Sequence, residues 1–269
     1  MSLPIIGITS EMTAVGWGDR VREAALLPAS YPRALQRAGC VPLVLAPWPW
    51  PAARLMASLD GLLLADTLAA RRPGTAPPSG PAGPADQARD AAERSLVRAA
   101  IEAGLPVLAI GRGLHVLNLA RGGAEPPADQ GRSEAPARES GAPAGELRLS
   151  PDSVLGQLLG LSVTVPAADL TGPALGRLGR GLTAVAWADD QAVEAVELAG
   201  HPFAIGMRWH PGESDRVKLL GRFLAAAAGR VAGRPGRAEP ATRPAGAVQA
   251  ESASQAEAAP KAKAGTAST

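Results

Sequence analysis

Cysteine and aromatic residues are scarce in this chain, and their scarcity excludes several kinds of protein. Cys40 is the one cysteine among 269 residues, so an internal disulfide framework is impossible and a cysteine-based metal site is not expected. Aromatic residues make up 3% of the chain and apolar residues 46%, many of them alanine. We therefore predict a buried core made mainly of Leu, Val, Ile and Ala side chains.

Strong net charge and long apolar runs are also absent. The formal net charge is +2, which is too near to balance to favour nucleic acid or a membrane surface as a partner. No stretch approaches the roughly 20 apolar residues that span a bilayer. The opening MSLPIIGITSEM lacks the basic and apolar regions of a secretory signal. We predict a cytoplasmic protein without nucleic-acid or membrane partners.

Short apolar runs alternate with helix-forming stretches along the first half of the chain. This β-α-β-α-β alternation predicts a mainly parallel sheet with helices on both faces. Strands are predicted at 4–9, 41–47, 60–65, 105–110, 146–149, 162–165, 183–188, 192–198 and 203–208, and helices at 28–38, 52–58, 86–103, directly after residue 111 and at 215–228.

Two long loops and a tail interrupt or follow this pattern. Residues 71–85 and 122–145 are rich in Pro and Gly, which predicts loops. After Gly229 the chain has no aromatic residue and almost no large aliphatic one, so it cannot bury enough surface to offset its ordering entropy. We predict one domain over residues 1–229 and a disordered tail over 230–269, with an ordered tail as the alternative.

Three stretches carry a resemblance to one enzyme family. They are YPRALQRAGCVPLVLAP at 31–47, RDAAERSLVRAAIEAGLPVLAIGRG at 89–113 and VEAVELAGHPFAIGMRWHP at 193–211. The stretch at 89–113 contains an R-D-x-x-E helix, a strand and an x-R-G turn. In this order and spacing they resemble the γ-glutamyl-γ-aminobutyrate hydrolase family, which is class I glutamine amidotransferase-like and of the peptidase C26 type. The resemblance implies a flavodoxin-like three-layer α/β/α sandwich with a mostly parallel central sheet.

Members of that family hydrolyse γ-glutamyl amide bonds through a Cys–His–Glu triad, whose cysteine lies on a tight strand-to-helix turn. In the matched turn, Ala109-Ile110-Gly111-Arg112-Gly113, the nucleophile position is Gly111. Small residues two before and two after it suit such an elbow, and glycine adopts a strained backbone at no steric cost. Gly111 offers no nucleophile, and neither Ile110 nor Arg112 replaces it.

Of the other two triad positions, the histidine is present and the glutamate is displaced by one residue. The resemblance places His210, in Trp209-His210-Pro211, at the catalytic histidine; the alternative is a histidine kept for local packing. The glutamate of the family follows the proline directly, whereas here Gly212 intervenes before Glu213. The added residue can swing the Glu213 carboxylate away from the ring.

Two further segments depart from the family pattern. Its Pro-Gly-Gly or Pro-Gly-Ser turn after the third strand is replaced by Leu64-Ala65-Asp66-Thr67, in which Asp66 would repel a developing oxyanion. Its N-S-x-H-x-Q segment maps onto residues 168–173, where none of the four polar residues survives. These changes predict the loss of glutamyl recognition.

Other residues offer smaller indications of function. Arg112, at the helix start after Gly111, could bind an anion, and His115 could line the same pocket or be an ordinary helix-surface histidine. Three widely spaced histidines without paired carboxylates do not predict a metal site. His201 matches a structural H-P-F turn, and Cys40 at a strand start predicts a small buried hydrophobe rather than a substitute nucleophile.

These observations predict a catalytically inactive homologue that acts as a binding or regulatory protein. Its expected partners are a small γ-glutamyl or anionic ligand or another protein, and no cofactor is expected. The alternative is a weakly active γ-glutamyl amide hydrolase in which His210 and Glu213 activate water. A third interpretation is a ligand sensor that reads an anion with Arg112 and His115.

Overall fold

A computed structural model describes residues 3–66, 84–125, 145–166 and 175–232. The strands within these ranges are β1 (Ile5–Thr9), β2 (Glu11–Trp17), β3 (Arg20–Leu26), β4 (Val41–Leu45), β5 (Gly61–Leu64), β6 (Val107–Ile110), β7 (Gly145–Leu149), β8 (Ser162–Val165), β9 (Leu182–Trp187), β10 (Val193–Leu198) and β11 (Ala204–Met207). The helices are α1 (Ser30–Arg37), α2 (Ala52–Met56), α3 (Pro84–Glu102), α4 (Arg112–Ala120), α5 (Val154–Leu159) and α6 (Glu213–Ala232).

In the described ranges, nine strands form one sheet in the order β4-β1-β5-β6-β11-β10-β9-β7-β8. The first five of these run parallel, and each strand beyond β11 pairs antiparallel with its neighbour. Taken in chain order, the parallel strands are arranged 2-1-3-4-5, which is the flavodoxin-like order. The predicted α/β/α class is confirmed, and the parallel half of the sheet is the half that positions the site.

Each face of the sheet has its own hydrophobic core. On β5, Leu63 packs into one core while Leu62 and Leu64 pack into the other, as expected for alternating side chains of a strand. Helices α1, α5 and α6 cover the first face, and α2, α3 and α4 cover the second. Because β5 and β6 are buried on both faces, they form continuous apolar runs in the sequence.

Three elements were not predicted from the sequence. Strands β2 and β3 form a separate hairpin around Gly18-Asp19, and Gly18 has the positive φ of 65° that a two-residue hairpin turn requires. Helix α5 begins at Ser153, whose hydroxyl caps it by accepting a hydrogen bond from the Gly156 N–H at 2.9 Å. The Gly-Asp pair at the turn was the sequence signal for the hairpin.

Several element boundaries differ from the predicted ones by a few residues. Helix α3 begins at Pro84 and β7 at Gly145, so both extend into the predicted loops, while the parts of those loops at 71–83 and 126–144 lie outside the described residues. Helix α6 continues to Ala232, which makes residues 230–232 helical. The rest of the predicted tail is outside the described residues, and the division into domain and tail stays a prediction. No helix in the described ranges is long and apolar enough to cross a membrane.

Candidate functional site

The ends of three neighbouring strands bring Asp66, Gly111 and His210 together. Asp66 follows β5, Gly111 follows β6 and His210 follows β11. These strands are parallel and adjacent, so their carboxyl ends meet at one edge of the sheet. Crevices at this edge are where open α/β sheets bind their ligands.

Gly111 forms the turn between β6 and α4 with φ 57° and ψ −121°. Its N–H donates to the Met207 carbonyl at 2.8 Å, and its carbonyl accepts from the Leu114 N–H at 3.0 Å. This backbone conformation is outside the regions that residues with a Cβ adopt at low cost. Gly113 is needed for a different reason: a Cβ there would lie 2.7 Å from the Leu64 carbonyl oxygen. The sharp strand-to-helix elbow predicted from the sequence is therefore present.

The carboxylate of Asp66 fills the space beside Gly111. A Cβ built on Gly111 would lie 2.6 Å from the Cβ of Asp66, and closer still to its carboxyl carbon and Oδ2. Asp66 is 4% exposed, and the Arg112 N–H at the start of α4 donates to its Oδ1 at 3.4 Å. A helix N-terminus carries partial positive charge and stabilises a carboxylate placed against it. Asp66 thus occupies the space in which a side chain at position 111 would begin. Its carboxylate also lies at the helix N-terminus, the place at which we predicted that an external anion could bind.

His210 lies between Asp66 and Tyr31. Its Nε2 is 2.9 Å from Asp66 Oδ2, and the two form an ion pair when the ring is protonated. Its Nδ1 is 3.5 Å from the hydroxyl of Tyr31 on α1, which accepts a hydrogen bond from the Asp66 N–H at 3.2 Å. Burial, followed by the charge of Asp66, raises the pKa of Tyr31. The hydroxyl therefore stays protonated and is able to donate.

Glu213 is the exposed first residue of α6. In the part of the chain that the structure describes, its carboxylate makes neither a hydrogen bond nor an ion pair with His210, whose ring nitrogens face Asp66 and Tyr31 instead. The role of Glu213 as a catalytic partner stays a prediction, and the geometry gives it no contact through which to act.

Two carboxylates of α3 hold the side chain of Arg112. Its guanidinium pairs with Asp90 and Glu93, both of the R-D-x-x-E motif. Arg89 of the same motif binds Glu93 at 3.3 Å and Glu11 of β2 at 3.2 Å. Burial raises the pKa of Glu93, and the neighbouring Arg89 opposes that effect. The motif therefore ties α3 to the elbow and to the hairpin, and Arg112 is engaged with the protein's own acids.

The other two histidines make local contacts. His115 on α4 is 7% exposed, and its Nδ1 lies 3.3 Å from Glu125 Oε2. The hydrogen bond from His115 lowers the pKa of Glu125. His201 accepts a hydrogen bond from the Phe203 N–H at 3.3 Å within its own turn. Across the described residues, no group of three or more His, Cys, Asp or Glu side chains is arranged to hold a metal ion.

Cys40 lies at the opposite edge of the sheet from Gly111. It precedes β4, whose amino end aligns with the amino end of β1, whereas Gly111 follows the carboxyl end of β6. Its Sγ donates to the Leu35 carbonyl at 3.2 Å, and burial raises its pKa to about 11. A buried, protonated thiol on the far edge has no access to the elbow.

A cavity of about 430 Å³ opens beside His210 and extends under α1 and α6. This volume falls within the roughly 300–1,000 Å³ typical of small-molecule sites. The polar side chains that line it are Ser30, Tyr31, Asp66, His210 and Arg216. It lies on the first face of the sheet, whereas α4, with Arg112 and His115, covers the second face. The site therefore has a pocket, and Arg112 and His115 are not among its lining residues.

A flavodoxin-like sheet, a sharp elbow after β6 and a histidine after the neighbouring β11 define a class I glutamine amidotransferase-like protein. The sequence profile of the Peptidase C26 family matches residues 4–212 of the chain. The chain therefore belongs to the Peptidase C26 family.

Related proteins agree with this assignment. A Mycobacterium tuberculosis protein named as a candidate glutamine amidotransferase is 38% identical over 87 residues, which are 32% of this chain and 27% of that protein. A candidate GMP synthase subunit from Thermoplasma acidophilum superimposes with a TM-score of 0.59 at 14% identity, covering 86% of this chain and 98% of its own. The glutaminase domain of Trypanosoma brucei CTPS, solved with bound acivicin, gives 0.52 at 14% identity, covering 84% and 94%. The two structural likenesses establish the fold.

Tyr31 and the position of Asp66 were missed by the sequence reasoning. From the sequence alone Asp66 is a residue unfavourable to an oxyanion, and Tyr31 is part of the matched helix segment. The sequence nevertheless contains a signal for the contact between Asp66 and Gly111. Asp66 stands in the turn where the family has glycine, and Gly111 stands where the family has its nucleophile. The segment 168–173 lies outside the described residues, and its predicted loss of recognition stays a prediction.

Proposed function

We propose that this chain is a catalytically inactive homologue of the γ-glutamyl-γ-aminobutyrate hydrolases that binds a small molecule instead of cleaving it. The observation that carries the proposal is the pairing of Gly111 with Asp66. Glycine supplies no nucleophile at the elbow, and the carboxylate beside it fills the space that a nucleophile's side chain would need.

Electrostatics at the elbow support the same proposal. The start of α4 and the ring of His210, which would assist a thiolate at the elbow, are both in contact with Asp66. An approaching carbonyl would place its developing negative charge near a carboxylate, which disfavours a tetrahedral intermediate. Losing both the nucleophile and the oxyanion donors costs several orders of magnitude in rate.

A displaced hydrolytic mechanism is the second candidate. His210 and its carboxylate partner Asp66 lie beside an open cavity, and a histidine–carboxylate pair is able to act as a general base toward water. This arrangement supports a mechanism through Asp66 better than one through Glu213, which does not contact the ring.

The deciding experiment measures glutamate release from γ-glutamyl-γ-aminobutyrate and from glutamine. We expect wild type to release no more glutamate than a His210→Ala variant. Gly111→Cys alone should stay inactive as well, because Asp66 crowds the introduced side chain. Turnover by wild type that is lost in His210→Ala would overturn the proposal and favour the displaced mechanism.

A further inference from the structure

Deeply buried apolar side chains form part of the cavity beside His210. Its apolar lining includes Leu35 of α1, Leu63 of β5 and Leu108 of β6, none of them more than 1% exposed. Pro28, Ser30 and Gly212 line it as well and are less buried, so the opening lies on their side. A ligand that enters can therefore bury an apolar body against these three leucines.

Arg216 supplies a cation to this cavity. It lies on the first turns of α6, it is half-buried, and its charge acts on Tyr31. Its backbone N–H donates to the Gly212 carbonyl at 2.9 Å. Among the described residues, its guanidinium has no carboxylate partner. The nearby acid Asp215 is within ion-pair distance of Lys218. The positive charge of Arg216 is thus available to a ligand.

Asp66, the one acidic side chain among the described residues that line the cavity, is already engaged. Its carboxylate contacts His210 Nε2 at 2.9 Å and the Arg112 N–H at 3.4 Å. A ligand cation would have to compete with both of these contacts, whereas a ligand anion would meet Arg216 and the Tyr31 hydroxyl. The charges of the cavity therefore favour an anion.

From this arrangement we infer a binding site for a small amphipathic carboxylate, such as a medium-chain alkanoate. The apolar body lies against Leu35, Leu63 and Leu108, and the carboxylate accepts hydrogen bonds from Arg216. This ligand class deepens the proposed function, on which the inference rests. It differs from a γ-glutamyl group, whose polar α-amino acid end has no counterpart among these three apolar side chains.

Calorimetric titration of the full chain with octanoate tests the site. We expect saturable binding, with octylamine and glutamate binding much more weakly, if at all. Arg216→Gln should weaken octanoate binding by about tenfold or more, because a hydrogen bond to a charged group is lost. Arg222→Gln is the matched control: Arg222 is exposed on the same helix and does not line the cavity.

A second pair of variants tests the location independently. Ala34 lines the cavity from α1, so Ala34→Phe should fill it and abolish octanoate binding. Ala38→Phe is the control, because Ala38 is exposed at the end of the same helix and is not a lining residue. Circular dichroism verifies that each variant is folded, and if Ala34→Phe does not fold, the Arg216 pair decides alone.

Three results would overturn the inference: no octanoate binding by folded wild type, equal binding of octylamine, or unchanged affinity in Arg216→Gln. None of these three results concerns amide hydrolysis, so the proposed function would survive them. Glutamate release dependent on His210 would instead refute the proposed function, whatever the result with octanoate. The two failures are therefore distinguishable.

Discussion

Gly111→Ala should destabilise the protein through two separable effects. The first is backbone strain, because φ 57° with ψ −121° is a sparsely populated conformation that costs a residue with a Cβ about 1–3 kcal/mol. The second is crowding, since the new Cβ would lie 2.6 Å or less from three atoms of Asp66. Overpacking of this kind costs about 1–3 kcal/mol. We expect a total loss of about 2–6 kcal/mol in the free energy of unfolding, measured by urea denaturation.

Gly122→Ala separates the two effects. Gly122 also has a positive φ, of 81°, but a Cβ there would meet no heavy atom within 4 Å. We therefore expect this control to lose only the strain, about 1–2 kcal/mol.

The double variant Gly111→Ala/Asp66→Gly isolates the crowding. Asp66→Gly alone removes the contacts of this carboxylate with His210 and with the Arg112 N–H. In the double variant the crowding disappears, so a double-mutant cycle should give a coupling of about 1–3 kcal/mol that favours the pair of changes. Additive losses, or equal losses for Gly111→Ala and Gly122→Ala, would refute the claim that Asp66 occupies the side-chain space at the elbow.

Three further outcomes follow from the site and its surroundings. In Gly111→Cys/Asp66→Gly, iodoacetamide at about pH 7 should label the introduced thiol at the helix N-terminus. Native wild type should stay unlabelled, because burial raises the pKa of Cys40 to about 11. Labelling of native wild type would contradict this expectation. Burial raises the pKa of Cys40 from 9.0 to about 11, so the protonated thiol contributes its full stabilisation below pH 9 and loses it as the pH rises toward 11. Chemical denaturation over this pH range should show a smaller loss of stability in Cys40→Ala than in wild type. Arg89→Met should lower the free energy of unfolding by about 3–5 kcal/mol, because it removes the ion-pair partner of buried Glu11 and leaves Glu93 paired with Arg112 alone. Arg94→Met on the same helix is its control, and equal effects of the two would count against a structural role for the R-D-x-x-E motif.

The sequence allowed most of the parallel half of the fold to be predicted. Strands β5 and β6 are buried on both faces, so their apolar runs are unambiguous, and the helices between the strands have regular apolar spacing. The hairpin of β2 and β3 was missed because most of its residues are exposed or half-buried, which leaves no clear apolar face. Helix α5 was missed because six residues give too little periodicity, and part of its stability comes from the distant Glu197, which accepts hydrogen bonds from its first N–H groups.

The site was predictable as a location but not as a set of contacts. The resemblance located Gly111 and His210, because both lie in stretches with a recognisable order of residues. The partner of His210 depends on three strands and α1 meeting at one edge, so Asp66 and Tyr31 are neighbours only after folding. Glu213 was predicted because the glutamate of the family follows the same proline, but at the start of α6 its carboxylate makes no contact with His210.

The most direct test of the central claim is the rate of glutamate release from γ-glutamyl-γ-aminobutyrate by the purified wild-type chain, compared with His210→Ala prepared in the same way. The absence of a nucleophile at Gly111 and the filling of its space by Asp66 predict identical background rates for the two proteins. A wild-type rate clearly above that of His210→Ala would contradict the account, because it would show that this elbow still supports amide hydrolysis.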